Sequence, residues 1–160
     1  MLFLRACCCL FLVWVSSGYA LTPQEALAMA QGEGSTRVQA IQAAVSKADA
    51  ATLAFIQALS DDAVKIADGK PYVFQGDKAL DPVTGAPVAL SAEVLAAAED
   101  VVNNNRMRGE LDNALAALKL LSPDAALRRA AAKNLQGQVG EAQLPLLERA
   151  LALETESDIA

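Results

Sequence analysis

One helical stripe near the middle of the chain constrains the fold more than any other feature of the sequence. Its apolar residues recur at steps of four, four and three, which places them on one face of an α-helix: Met107, Leu111, Leu115 and Leu118. Ser122-Pro123-Asp124 ends this helix and begins another, because proline excludes the helical state from the preceding residue yet suits a first turn. The rest of the chain must supply elements that cover the leucine face.

Composition favours helices for those covering elements. The 160 residues are 54% hydrophobic but only 4% aromatic, so alanine and leucine supply most of the apolar content. This mixture is typical of closely packed helices, whereas a β-sandwich uses more β-branched and aromatic residues. The net charge of −6 argues against a nucleic-acid partner, which would require clustered lysine and arginine. The chain has no histidine, so the commonest general base and zinc ligand is missing.

The first twenty residues are typical of a secretory signal peptide. Arg5 provides the positive start, residues 6–15 the apolar core and Gly18-Tyr19-Ala20 a cleavage site after Ala20. An uncleaved anchor is the alternative, but the apolar core is shorter than the roughly 18 residues that a spanning helix needs. We therefore predict an exported protein, without a membrane span beyond residues 1–20. All three cysteines lie in that segment, at positions 7–9.

Capping and periodicity predict an all-α fold for residues 21–160. Thr22-Pro23-Gln24-Glu25 has the form of a capping box, and Asp49 is predicted to cap a long helix that continues to Gly69. Residues 37–45 followed by 49–59 resemble residues 128–135 followed by 141–151, each a helix, a polar loop and a helix. Repeated helical hairpins indicate a single HEAT-like helical-repeat domain of about six or seven helices. A small helix bundle remains the alternative.

Residues 68–89 interrupt the helical pattern. Tyr72-Val73-Phe74 is a short β-prone run, and the turn formers that follow it predict a small β-hairpin or ordered loop near residues 70–89. The Tyr72 and Phe74 side chains either fix the insertion to the helices or form a binding tip. The candidate loop contacts are Tyr72, Phe74 and Asp81.

The polar run before the leucine stripe exceeds what a helix cap requires. One asparagine side chain is enough to cap a helix, but three asparagines and two arginines occur here. Two interpretations stay open, an elaborate cap with local ion pairs and a contact surface for a protein partner. The candidate docking residues are Asn103, Asn104, Asn105, Arg106 and Arg108.

No motif in the sequence indicates catalysis, a cofactor or a metal. Asp61-Asp62 and Glu99-Asp100 are adjacent carboxylates, which point about 100° apart on a helix and are better explained as helix-end charges. Asp77 and Asp81 lack the order of a calcium-binding loop. We therefore expect a protein that is not an enzyme and that holds no cofactor or metal.

Several segments together resemble one protein family. They are LTPQEALAMA, DDAVKIADGKPYVFQG with ALDPVTGAPV, and EDVVNNNRMRGELDNALAALKLLSPD. The chain resembles the N-terminal extracytoplasmic region of urea-type ABC transporter permeases, a branch of the branched-chain amino-acid permease family. The resemblance implies a location at the periplasmic face of the inner membrane and a scaffold or docking role in urea uptake. It also implies partner permease subunits, ATPases and a periplasmic substrate-binding protein.

The chain departs from that family in one respect, since no later apolar run is long enough to cross a membrane. We expect it to be either truncated before a permease section or an extension that exists alone. The alternative functions are a free periplasmic HEAT-like adaptor and a module that binds a small solute or peptide through the 72–87 loop.

Overall fold

The computed structural model describes residues 21–47, 49–137 and 140–159. The predicted signal peptide, residues 1–20, lies outside these ranges. In chain order the elements are α1 Pro23–Ala30, α2 Gly34–Val45, α3 Ala50–Ser60, β1 Val64–Ala67, β2 Lys70–Gln75, β3 Lys78–Leu80, β4 Pro87–Val88, α4 Ala92–Ala96, β5 Glu99–Asp100, α5 Asn105–Lys119, α6 Ala125–Leu135, a 3-10 turn Glu141–Gln143 and α7 Leu144–Leu153.

The prediction of an all-α, HEAT-like array is wrong, because an antiparallel sheet of five strands lies between α3 and α5. Its strand order is β4-β3-β2-β1-β5. The hairpin predicted near residues 70–89 forms part of this sheet, with Gln75 paired to Lys78 around Gly76. β1 and β5 lie outside the predicted insertion and pair with each other, placing Lys65 opposite Asp100.

The third helix ends earlier than its periodicity predicts. It stops at Ser60, and Asp62 then adopts a positive φ of 53°, a conformation that no right-handed helix contains. Val64, Lys65 and Ile66 alternate between apolar and polar, which suits a half-buried strand. The prediction that the helix continues through them to Gly69 is therefore wrong. The pair Glu99-Asp100, interpreted as helix-end charges, is the edge strand β5.

One core joins the helices to one face of the sheet. The largest fully buried apolar side chains come from α1, α2, α3, β1, α5 and the segment before α1: Phe55, Leu21, Met29, Ile41, Ile56, Leu59, Leu111 and Val64. Helix α5 packs against α2, α3 and α6. In a solenoid each repeat contacts only its neighbours in sequence, so this centrally packed helix is a second departure from a repeat array.

Local capping follows the sequence closely. The capping box predicted at Thr22 is confirmed, because its hydroxyl accepts from the Glu25 N–H and the Glu25 carboxylate accepts from the Thr22 N–H. Asp49 caps α3 as predicted, accepting from the Thr52 N–H at 2.8 Å. Among the described residues, none of the helices is both long enough and apolar enough to cross a membrane.

Candidate functional site

The side chain of Asn103 is buried and links three helices. Its amide nitrogen donates to the Leu59 carbonyl at 2.8 Å and to the Asp62 carboxylate at 3.0 Å, both at the end of α3. Its amide oxygen accepts from the Arg37 guanidinium of α2 at 2.7 Å. Since Asn103 lies just before α5, one side chain fixes the start of the central helix against α2 and α3. It is 7% exposed, so these bonds form with little competition from water.

Arg37 is the charged member of this network. Its guanidinium also donates to the Met29 carbonyl at 2.8 Å and to the Val102 carbonyl at 3.0 Å. Within the described ranges, no carboxylate forms an ion pair with it. Burial lowers the pKa of Arg37, but its pKa starts so high that the side chain stays charged. Arg37 does not bond to the Asp62 carboxylate directly, because the Asn103 side chain lies between them and forms a hydrogen bond with each.

Asp62 and Arg108 complete what we call the Asn103 network, which consists of Arg37, Asp62, Asn103 and Arg108. The Arg108 guanidinium donates to the Asp62 carboxylate at 2.7 Å, and both side chains are 48% exposed. Arg108, and after it Asn103, lower the pKa of Asp62 and so favour its ionised form. The network therefore runs from a buried cation to a solvent-facing ion pair.

The five candidate docking residues divide into an inner and an outer set. Asn103 and Arg108 belong to the network, and Asn104 caps α5 by accepting from the Met107 N–H at 2.9 Å. Asn105 and Arg106 are exposed on the first turn of α5, and their side chains make no hydrogen bond within the described residues. Val102, which precedes Asn105 by three residues, is 79% exposed. We call Val102, Asn105 and Arg106 the outer surface.

The three candidate loop contacts do not lie at one site. Tyr72 and Asp81 line one cleft of about 390 Å³ between the start of α1 and the β2–β4 side of the sheet. Phe74 does not line it. The ring of Phe74 instead lies under the Lys65 ammonium, 5.7 Å from its centroid, and Lys65 in turn pairs with Asp100 at 3.0 Å. We call the first of these features the Tyr72 cleft.

Asp81 is held by its own turn. One carboxylate oxygen accepts from the Val83 N–H at 3.0 Å, the Thr84 N–H at 2.8 Å and the Thr84 hydroxyl at 2.9 Å. Partial burial alone would raise the pKa of Asp81, but the hydrogen bonds from Thr84 and Val83 together lower it. The residue therefore presents a fixed, ionised carboxylate.

A second cleft, of about 400 Å³, lies between α6 and α7 and is mostly apolar. Near it the Arg128 guanidinium clamps the Glu154 carboxylate with two bonds of 2.8 and 2.9 Å. Arg128 is therefore engaged within the fold. In the described part of the chain, no cluster of three or more acidic residues is arranged to hold a metal ion.

Sequence reasoning did not identify Arg37 and Asp62 as partners of the asparagine run. One signal was present, because Arg37 shares the buried face of α2 with Ile41 and Ala44, at steps of four and three. A cation within an apolar stripe requires buried hydrogen-bond acceptors. Nothing in the sequence indicated that Asn103 would supply one of them.

Comparison of the chain with protein-family models, with curated proteins and with solved structures finds no match. The assignment of a function consequently depends on the residues described above and on the sequence resemblance.

Proposed function

We propose that this protein is an exported, non-enzymatic docking domain of a urea-type permease complex. The observation that carries the docking role is the division of the asparagine–arginine run. Its inner residues make bonds within the fold, whereas Asn105 and Arg106 are exposed, as is Val102 three residues before Asn105. The Asn103 network holds this outer surface on a rigid helix start, and a pre-ordered surface loses less entropy on binding than a mobile one.

The urea-type permease component of the proposal is supported by the sequence resemblance alone. Its most specific segment, residues 103–108, is also the segment that fixes α5 to α2 and α3. A sequence that must both fold the domain and present a contact surface has few acceptable substitutions. This double demand is consistent with a segment that identifies a family.

Co-purification with the permease subunits and the substrate-binding protein of the cognate urea transporter tests the docking role. We expect the wild-type protein to retain one of them and Arg106→Glu to lose it. Arg149→Glu, an equal charge change at an exposed site on α7, should retain the partner. Arg108 is unsuitable for this test, because its replacement also breaks the ion pair to Asp62. Equal retention by both variants, or none by the wild type, contradicts the proposal.

Calorimetric titration with urea separates a docking domain from a solute-binding module. We expect no saturable heat, since docking requires no urea site. Saturable binding of urea would instead favour the small-solute alternative.

A further inference from the structure

The Tyr72 cleft has the composition of a ligand site. Its walls are apolar and rigid, formed by three prolines, a leucine and a valine: Pro23, Pro71, Pro82, Leu27 and Val88. Asp81, Tyr72, Gln24 and Lys70 also line it. Ligand pockets are commonly apolar clefts of some 300–1,000 Å³ in which a few polar groups determine orientation. A cleft of about 390 Å³ with this lining belongs to that class.

Asp81 is the group around which recognition would be organised. Its Oδ1 is occupied by three donors of its own turn, which hold the carboxylate in one orientation. Its Oδ2 accepts no hydrogen bond from the described residues, and no cation there pairs with the carboxylate. A fixed carboxylate oxygen therefore remains for an external cation, on a residue that lines the same cleft as Tyr72.

We propose that the Tyr72 cleft binds an arginine side chain from an extended segment of a protein partner. A guanidinium is planar and weakly hydrated, so it can donate to the Asp81 carboxylate while stacking against the Tyr72 ring. The aliphatic stem of the arginine packs against Leu27 and Val88. Lys70, which also lines the cleft, repels the cation weakly. The site is separate from the outer surface on α5, and the proposal does not depend on the urea transporter assignment.

The probe is N-acetyl-L-arginine methylamide, which carries the side chain on a neutral, peptide-like backbone. Titrated into ¹⁵N-labelled protein, it should give saturable shifts confined to residues around the Tyr72 cleft. The citrulline analogue keeps the shape but lacks the charge, and it should give none. Free arginine, which adds an ammonium and a carboxylate, should bind no more tightly than the blocked probe. Preference for free arginine would overturn the partner-segment assignment.

Three charge variants, one of them a matched control, sharpen the test. Asp81→Asn keeps the Oδ1 acceptor of the turn and removes the charge, so it should weaken probe binding about tenfold. Asp77→Asn, at an exposed acid in the β2–β3 turn, is the matched control and should have no effect. Lys70→Gln should strengthen binding about twofold by removing a like charge. Weaker binding by Lys70→Gln, or unchanged binding by Asp81→Asn, overturns the proposal.

Discussion

Asn103 and Arg37 show how much of this fold depends on single polar side chains. Arg37 donates to three oxygens in two segments, the end of α1 at Met29 and the linker between β5 and α5 at Val102 and Asn103. A guanidinium suits this role because its donors form a rigid planar fork. Removing one partner leaves a buried polar group without a hydrogen bond, which costs more than the bond itself contributed.

Arg37→Lys should therefore destabilise the protein although it keeps the charge. A lysine ammonium is a point donor that cannot reach all three oxygens, so we expect a loss of about 2–3 kcal/mol in the free energy of unfolding. Chemical denaturation monitored by circular dichroism measures this. Arg149→Lys on the exposed face of α7 is the control and should change stability by less than about 0.5 kcal/mol. Equal losses of stability in the two variants would contradict the claim that the planar guanidinium of Arg37 is needed to reach all three oxygens.

Helix starts and the hairpin near residues 70–89 were predictable at the scale of elements, whereas the pairing of β1 with β5 was not. The caps at Thr22 and Asp49 depend on residues three positions apart, so the local sequence contains them. β1 is only four residues long, and its partner β5 lies more than thirty residues further along the chain, at Glu99–Asp100. On its other side β1 pairs with β2 across the tight turn Asp68-Gly69, so this contact is local. The prediction that α3 continues to Gly69 is wrong because Ala63 and Ile66 keep the helical spacing of Leu59 although they lie beyond the end of the helix.

In the candidate site, the local helix cap was predictable from the sequence, but the long-range contacts were not. The cap at Asn104 follows from its position before α5. All three asparagines were candidates on the sequence alone. Which asparagine turns inward depends on Arg37 and Leu59, which lie 66 and 44 positions away. No local pattern encodes those contacts. The division into network and outer surface therefore required the three-dimensional structure.

The Arg128–Glu154 clamp predicts how the α6–α7 unit responds to acid. The Arg128 hydrogen bonds, with further bonds from the Glu156 and Thr155 N–H groups, lower the pKa of Glu154 from 4.5 to about 2. A carboxyl whose pKa is depressed by folding stabilises the fold above its unfolded pKa. That contribution is lost as the pH falls through the folded pKa. The clamp should therefore be intact above pH 4.5 and weaken progressively towards about pH 2.

Thermal unfolding across this pH window tests the clamp. We expect the wild-type midpoint to fall more steeply with acidification than the midpoint of Glu154→Gln, which has no carboxylate left to protonate. Asp158→Asn removes the more exposed neighbouring pair with Arg129, whose side chains are 57% and 48% exposed. Because such exposed pairs contribute little, this variant should follow the wild-type slope more closely. Parallel slopes for wild type and Glu154→Gln would contradict the account.

At the scale of the whole molecule, α5 connects the helical core with the sheet. It packs against α2, α3 and α6, and a linker of four residues, 101–104, joins it to β5. The Asn103 network fixes this helix at its first turn, and its buried face, centred on Leu111, fixes it along its length. Loss of the network should therefore lower the stability of the whole fold and not only of a loop.

The most direct test of this account compares Asn103→Ala with Asn105→Ala by chemical denaturation. The first removes three hydrogen bonds in a buried site and should cost about 2–4 kcal/mol in the free energy of unfolding. The second alters an exposed helix residue two positions away and should change it by less than about 0.5 kcal/mol. We predict that Asn103→Ala lowers the free energy of unfolding far more than Asn105→Ala does. Similar values for the two variants would show that the asparagine run does not hold the central helix in place.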